Sequence, residues 1–372
     1  MIHMEMRVLH PLPPLDAMRA DLARLAGDGP TPPRLAERLP AWLDLATRLG
    51  RPAAHPPSLD DVINEVADME RAGALQLSLT TVSRLRESIS TSDLAAHSQA
   101  TAHFGRILRQ LGALDQAKES YEIALASSKK VADAGLTAHA LLGLGTTAHH
   151  RGNYPAADNA YRRALTVAPR DSLFDFGANQ GLMITRAVLG NLADAFRFGW
   201  RAFDLARDNP EQSAEILVNL SGLALRVGSP SSAANGFSVA YHRTTLERIR
   251  LPALRGAARA AALQGDRWEL DVVTERARVE GMRSSMPYEY ARMLADLAVA
   301  WRSVGDESLA TSLAEEATIL ADRFGFHEVP FAAAHRLAGT TLEAVAVEPT
   351  TDFKWRDDAA VTSGVRRLAV LA

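Results

Sequence analysis

Apolar residues recur at three- and four-residue spacing through most of the chain, and that period is helical rather than stranded. Residues 141–169, LLGLGTTAHHRGNYPAADNAYRRALTVAP, show the pattern most clearly. A first apolar run ends at Gly152. A second carries Ala157, Tyr161 and Ala164 at spacings of four and three. Glycine at 152 ends a helix and permits the positive φ of a tight helix-to-helix turn. Pro169 cannot continue the second helix. The prediction is an antiparallel helix pair in which Gly145 and Ala157 are small at the crossing and Tyr161 fills the wedge toward the next pair. One such pair cannot bury its own apolar face and needs copies stacked beside it.

The chain supplies copies. Gly73, Gly112, Gly152, Gly190, Gly228, Gly265 and Gly305 follow one another at 37–40 residues. The second unit repeats the pattern well with Phe104, Gly105, Ala117, Tyr121 and Ala124, and the fifth keeps Ala233, Phe237 and Ala240. The fourth has Gly199, and the seventh Ala314, where an aromatic is expected. The sixth has Leu270 in place of alanine, and the first rests mainly on Gly73. A generic helical bundle with chance glycines is the competing reading.

With Leu144, Gly145, Tyr154, Ala157, Tyr161, Ala164 and Pro169 around Gly152, the unit at 141–169 resembles a tetratricopeptide repeat. The family period is about 34 residues, so each unit here carries about one extra helical turn. The resemblance covers about 58–325. It implies an all-α, right-handed superhelical solenoid of about seven helix pairs with helical caps at both ends.

The flanks read differently. Residues 1–58 are expected to be a helical cap or module, with a short helix at 15–26, breakers at 27–33 and 51–57, and a helix at 34–49 that Pro40 kinks or splits. The solenoid then occupies 59–325, with Ser58 and Asp61 at its first helix start. Residues 326–372 are expected to cap the open end, through a helix from Pro330 to about Val345 and another over 358–371 with Val361, Val365 and Leu368 on one face. A partner-binding arm is the alternative for this segment.

Composition narrows function more than it specifies it. The 372 residues are 47% hydrophobic and 23% charged, with net charge −3 and no cysteine. Disulfides, thiol catalysis and cysteine-based zinc sites are therefore excluded. No apolar stretch is long enough for a membrane span, and the first residues do not read as a signal peptide, so a cytoplasmic location is expected. With no Lys/Arg block, nucleic acid is not an expected partner.

Motifs for nucleotide, zinc-protease or serine-hydrolase chemistry are absent, and Gly143-Leu144-Gly145 reads as a chance pair inside a helix. No catalytic residue, metal or cofactor is expected, and the chain is not expected to be an enzyme. His97, His103, His139, His149 and His150 cluster in units two and three, but no pair has the i, i+4 spacing of a helical zinc site.

In the tetratricopeptide family the first helix of each pair lines the concave face. Counting back from the turn glycines puts Arg106 and Arg109, His149 and His150, Gln180 with Asn179 beside it, Arg226 with Asn219, Arg255 and Arg259, and Arg292 and Arg302 on that face. Glu215 is the one carboxylate in the set. The resemblance implies a scaffold that binds a peptide or protein segment, and the arginines favour an acidic one. The competing reading of the arginines is ordinary surface in an arginine-rich chain. A homo-oligomer is compatible with the sequence. The alternative function is a peptide-sensing switch acting on a target through its N-terminal helices, since the layout resembles in outline the Rap-type regulators.

Overall fold

The computed structural model describes residues 33–49, 57–72, 74–90, 92–282, 284, 286–324 and 358–371. The expected helices at 15–26 and 330–345, both breakers' main parts and Gly73 lie outside them. Among the described residues there are sixteen helices and no strand. The chain divides into two compact units, residues 1–169 and 170–372.

The first unit holds α1 (Pro33–Leu49), α2 (Leu59–Arg71), α3 (Leu75–Ser88), α4 (Leu94–Gln110), α5 (Leu114–Lys130), α6 (Ala134–His150) and α7 (Tyr154–Val167). Helices α2/α3, α4/α5 and α6/α7 pack as pairs, and each pair packs on the next. The second unit holds α8 (Leu173–Val188), α9 (Leu192–Leu205), α10 (Pro210–Arg226), α11 (Pro230–Arg243), α12 (Glu247–Gln264), α13 (Arg267–Met282), α14 (Pro287–Ser303), α15 (Glu307–Phe324) and α16 (Ala359–Ala369). Here α8/α9, α10/α11, α12/α13 and α14/α15 are the pairs.

The described turn glycines behave as the period predicts. Gly112, Gly152, Gly190, Gly228, Gly265 and Gly305 all have φ between 67° and 84°. At Gly152 its own amide donates to the His149 carbonyl at 2.9 Å, and the Asn153 amide donates to Ala148 at 2.9 Å, so the last carbonyls of α6 are satisfied. Asn153 then caps α7 through the Ala156 amide at 3.2 Å.

Packing at the pair crossing departs from expectation in one respect. Ala157 is fully buried, as are Ala117, Ala195 and Ala233. Gly145, however, is small because of Tyr161: a Cβ there would lie 2.6 Å from the ring. Tyr161 thus packs within its own pair, and its hydroxyl meets Thr146 Oγ1 at 3.1 Å. Gly143 is no chance residue either. A Cβ there would fall 2.0 Å from the ring of Tyr121, which reaches it from the preceding pair. Phe237 meets Gly256 of the following pair in the same way, at 2.2 Å.

At the flanks one of two alternatives falls away and one expectation is corrected. Pro40 does not split the N-terminal helix, which runs on to Leu49. Pro40 sits on the exposed side, where water can satisfy the carbonyl that loses its donor. The helix docks on α2 and α3, burying Trp42, Leu43, Ala46 and Leu49 in one core with Val62, Val66, Met69 and Leu77. Arg38 and Trp42 Nε1 donate to Glu65 at 2.6–2.8 Å, and Arg84 donates to the Ala46 carbonyl at 2.6 Å. Burial by itself would raise the Glu65 carboxyl. The two hydrogen bonds and the Arg38 charge outweigh it and hold the group below its ordinary value.

The C-terminal helix α16 forms with Asp358 as its N-cap, but it does not cap α14 and α15. It lies against α9 and α11, burying Val361, Gly364 and Leu368. The cause is visible in α9, whose outward positions are Phe196 and Trp200 rather than charged residues. That apolar strip needs a cover.

Candidate functional site

Within each unit, neighbouring first helices touch through residues about one repeat apart. In the first unit Gln99 meets Asp60 at 3.3 Å, Arg106 Nε meets Glu70 at 2.9 Å, and Gln110 also donates to Glu70. Arg109 meets His150 Nε2 at 3.2 Å and the Tyr121 hydroxyl. Helices α2, α4 and α6 thereby present a continuous polar surface. In the second unit Gln180 donates to Glu215 at 2.9 Å, Arg248 to the same carboxylate at 3.1 Å, and Arg226 to the Ala187 carbonyl at 2.6 Å.

This geometry brings together Arg109 and His150 in the first unit, whereas His149 stands edge to face on Tyr154 of α7 at 5.2 Å. It does not leave the arginines unopposed. Arg106 is paired with Glu70, whose side chain is only 3% exposed. Arg255 lies 3.3 Å from Asp296 and 3.9 Å from Glu289, Arg292 is 3.7 Å from Glu289, and Arg302 is 2.9 Å from Glu307. Arg259 lies half-buried in α12 beside Arg255. The inner faces therefore carry alternating charge, and the expected excess of positive potential is corrected. Counting one position at a time down single helices missed most of the carboxylates, because Glu70, Asp296 and Glu307 reach in from another helix, while Glu289 meets Arg292 on its own helix and Arg255 on the next.

The amides are also occupied. Asn179 is buried, at 2% exposure, and donates to the Asp175 carbonyl and carboxylate at 2.9 and 2.7 Å. Asp175 in turn receives Arg201 of α9 at 3.1 Å. Asn179 is thus part of the α8–α9 interior, not of a ligand surface. Asn219 donates to the Glu215 carbonyl of its own helix at 3.1 Å.

Two further histidines, separated too widely in sequence to read as a pair, meet on the first unit's face. His103 of α4 and His139 of α6 have ring centroids 5.2 Å apart, edge to face. Burial, then the neighbouring His139 and Arg106, push His103 down to about 3. Burial and Arg106 push His139 down to about 4. His149 and His150 are shifted the same way, first by burial and then by His150 and Arg109 respectively, so each gains its charge at a lower pH than an ordinary imidazole. Among the described residues no group of three or more His, Asp or Glu could hold a metal ion, and no helix is long and apolar enough to cross a membrane.

The face in the first unit coincides with a recognisable family segment. Residues 98–170 match the family model described as tetratricopeptide repeat. Among solved structures the chain is similar to BtubC (BKLC) from P. vanneervenii, at 15% identity and a TM-score of 0.40, over 71% of this chain and 92% of that one. No curated protein matches it. Repeats of this kind generally mediate protein–protein interaction and are typically non-catalytic. The matched residues run through the helix pairs α4/α5 and α6/α7, which are therefore similar to tetratricopeptide repeats.

Proposed function

We propose that the chain is a non-catalytic, cytoplasmic protein-interaction scaffold that takes a peptide or protein segment across the inner faces of α4 and α6. One observation carries the reading. Side chains of successive repeats, Arg106 and Arg109 from α4 and His150 from α6, lie along one face, joined by the Arg109–His150 contact at 3.2 Å, with His149 next to His150 in sequence. Rows of this kind suit an extended segment, whose backbone offers a donor and an acceptor at every residue. The pairing of Arg106 with Glu70 removes the argument for a strongly acidic ligand; a mixed polar segment fits better. Gln180, Asn219, Arg226, Arg255, Arg259, Arg292 and Arg302 belong to a second surface of the same kind in the other unit.

The regulatory alternative needs N-terminal helices that stand apart as an effector. Helix α1 instead shares its core with α2 and α3, which favours the plain scaffold.

The test is a photo-crosslinking residue placed at His150, on α6, or at Glu122, on the outward side of α5, in the source cell. Crosslinks to a partner are expected at 150 and not at 122. The reverse pattern would move the interface to the outer face. Arg109→Ala is expected to weaken capture of the crosslinked partner by about tenfold, the loss of one charge-assisted contact.

A further inference from the structure

The outer face of the second unit carries a feature the repeat does not need. In four other second helices the residues one and five places after the crossing residue are polar. They are Lys118 and Glu122 in α5, Asp158 and Arg162 in α7, Asp271 and Glu275 in α13, and Thr311 and Glu315 in α15. Lys118 and Glu122 are an exposed ion pair at 3.3 Å, and Asp158, itself buried, pairs with Arg162 at 2.9 Å. In α9 the same places hold Phe196 and Trp200, and both are buried beneath α16.

The fit between groove and helix is specific. Gly364 of α16 lies on the aromatic pair, where a Cβ would come within 2.6 Å of Phe196 and 3.1 Å of Trp200 Nε1. Its carbonyl accepts from Trp200 Nε1 at 3.2 Å. Leu368, fully buried, fills the space left by Gly236 of α11, whose Cβ would lie 2.7 Å from it. Arg367 stacks over the Trp200 ring at 4.0 Å and pairs with Asp204 at 2.8 Å. The Asn235 amide donates to the Leu368 and Leu371 carbonyls at 2.6 and 3.0 Å, closing the end of the helix.

The connection is equally telling. Residues 325–357 separate α16 from α15 in sequence, and its main contacts are with α9, α10 and α11. The pairs α8/α9 to α14/α15 stack in chain order without it. An isolated helix of 11 residues is marginal in water, so α16 is a helix because the groove holds it. We propose that the groove between α9 and α11 is a helix-docking site and that α16 is its tethered, exchangeable occupant. The site takes an amphipathic helix with glycine at the crossing, an apolar residue three places before and four places after it, and arginine three places after. Because α16 belongs to the same chain, its docking is intramolecular, an advantage that a free helix must overcome.

The proposal is independent of the inner-face reading and has its own test. Hydrogen exchange on the full chain should show amides of 361–369 opening locally, faster than those of α9 and α11 by roughly tenfold or more. Exchange of α16 only together with α9 and α11 would overturn the proposal, because α16 would then be an integral part of the unit's core. A labelled peptide of residues 358–371 should bind the full chain carrying Gly364→Leu, and bind wild type at least about tenfold more weakly, since there the tethered helix competes. The same peptide carrying Gly364→Leu should not bind. Failure to bind a variant that circular dichroism shows to be folded, or equal binding to variant and wild type, would overturn it. Should Gly364→Leu not fold, Arg367→Asp in the chain sets like charges against Asp204 and opens the groove without changing its apolar floor.

Discussion

At the scale of single residues, what matters is which small positions face a ring and which face open space. A Cβ at Gly143 would strike the Tyr121 ring, whereas one at Gly222, inside α10, would meet nothing within 4 Å. Gly143→Ala is therefore expected to lower stability by about 1–3 kcal/mol through overpacking. Gly222→Ala is expected to raise it by about 0.5–1 kcal/mol, since a helix interior favours alanine. Denaturant unfolding of both variants checks the pair, and equal signs would contradict the packing described. The histidines give a prediction about pH. His103 and His139 have depressed values in the folded chain, about 3 and about 4. Below the unfolded value of about 6.5 the unfolded chain binds the extra protons, so their contribution is present above that pH and is lost as pH falls toward 4 and then 3. The melting temperature of wild type should fall more steeply between pH 6.5 and 4 than that of a His103→Leu, His139→Leu variant. Parallel curves would mean that neither histidine is buried as a neutral ring.

At the scale of elements, α1 and α16 are the two helices that the repeat pattern does not supply, and each is held by a tryptophan. Trp42 fixes α1 to the first pair, with its ring buried and its Nε1 on Glu65 at 2.8 Å. Trp42→Ala is expected to cost about 3–5 kcal/mol, read as the loss of hydrogen-exchange protection in α1 while α6 and α7 stay protected. The helix stripe of α16, Val361 to Leu368, was legible in advance, but its place was not. The clue in the sequence was local to α9: Phe196 and Trp200 stand where other units carry Lys118 and Glu122 or Asp158 and Arg162. A repeat-by-repeat comparison of outward positions finds it, whereas matching the family's own signature positions passes over it.

At the scale of the whole molecule, charge is balanced locally, and that bears on ligand choice. Arg106, Arg255, Arg292 and Arg302 each have a carboxylate within 4 Å. Binding on the inner face should accordingly change by less than about threefold between low and moderate salt, because paired charges leave little long-range attraction to screen. A steep salt dependence of the captured partner's affinity would restore the case for an acidic ligand. The helix pairs, their turns and their period were determined by sequence alone. A turn glycine, a capping asparagine and an apolar stripe act over a few residues, and repetition makes each weak signal count several times. The pairing of the arginines, the burial of Asn179, the meeting of His103 with His139 and the seat of α16 were decided only by tertiary structure. Each depends on what a neighbouring helix presents about one repeat away, or on a contact such as Trp200 with Gly364 that joins distant parts of the chain. No local period encodes such a contact, because its free energy arises only when both surfaces are already formed.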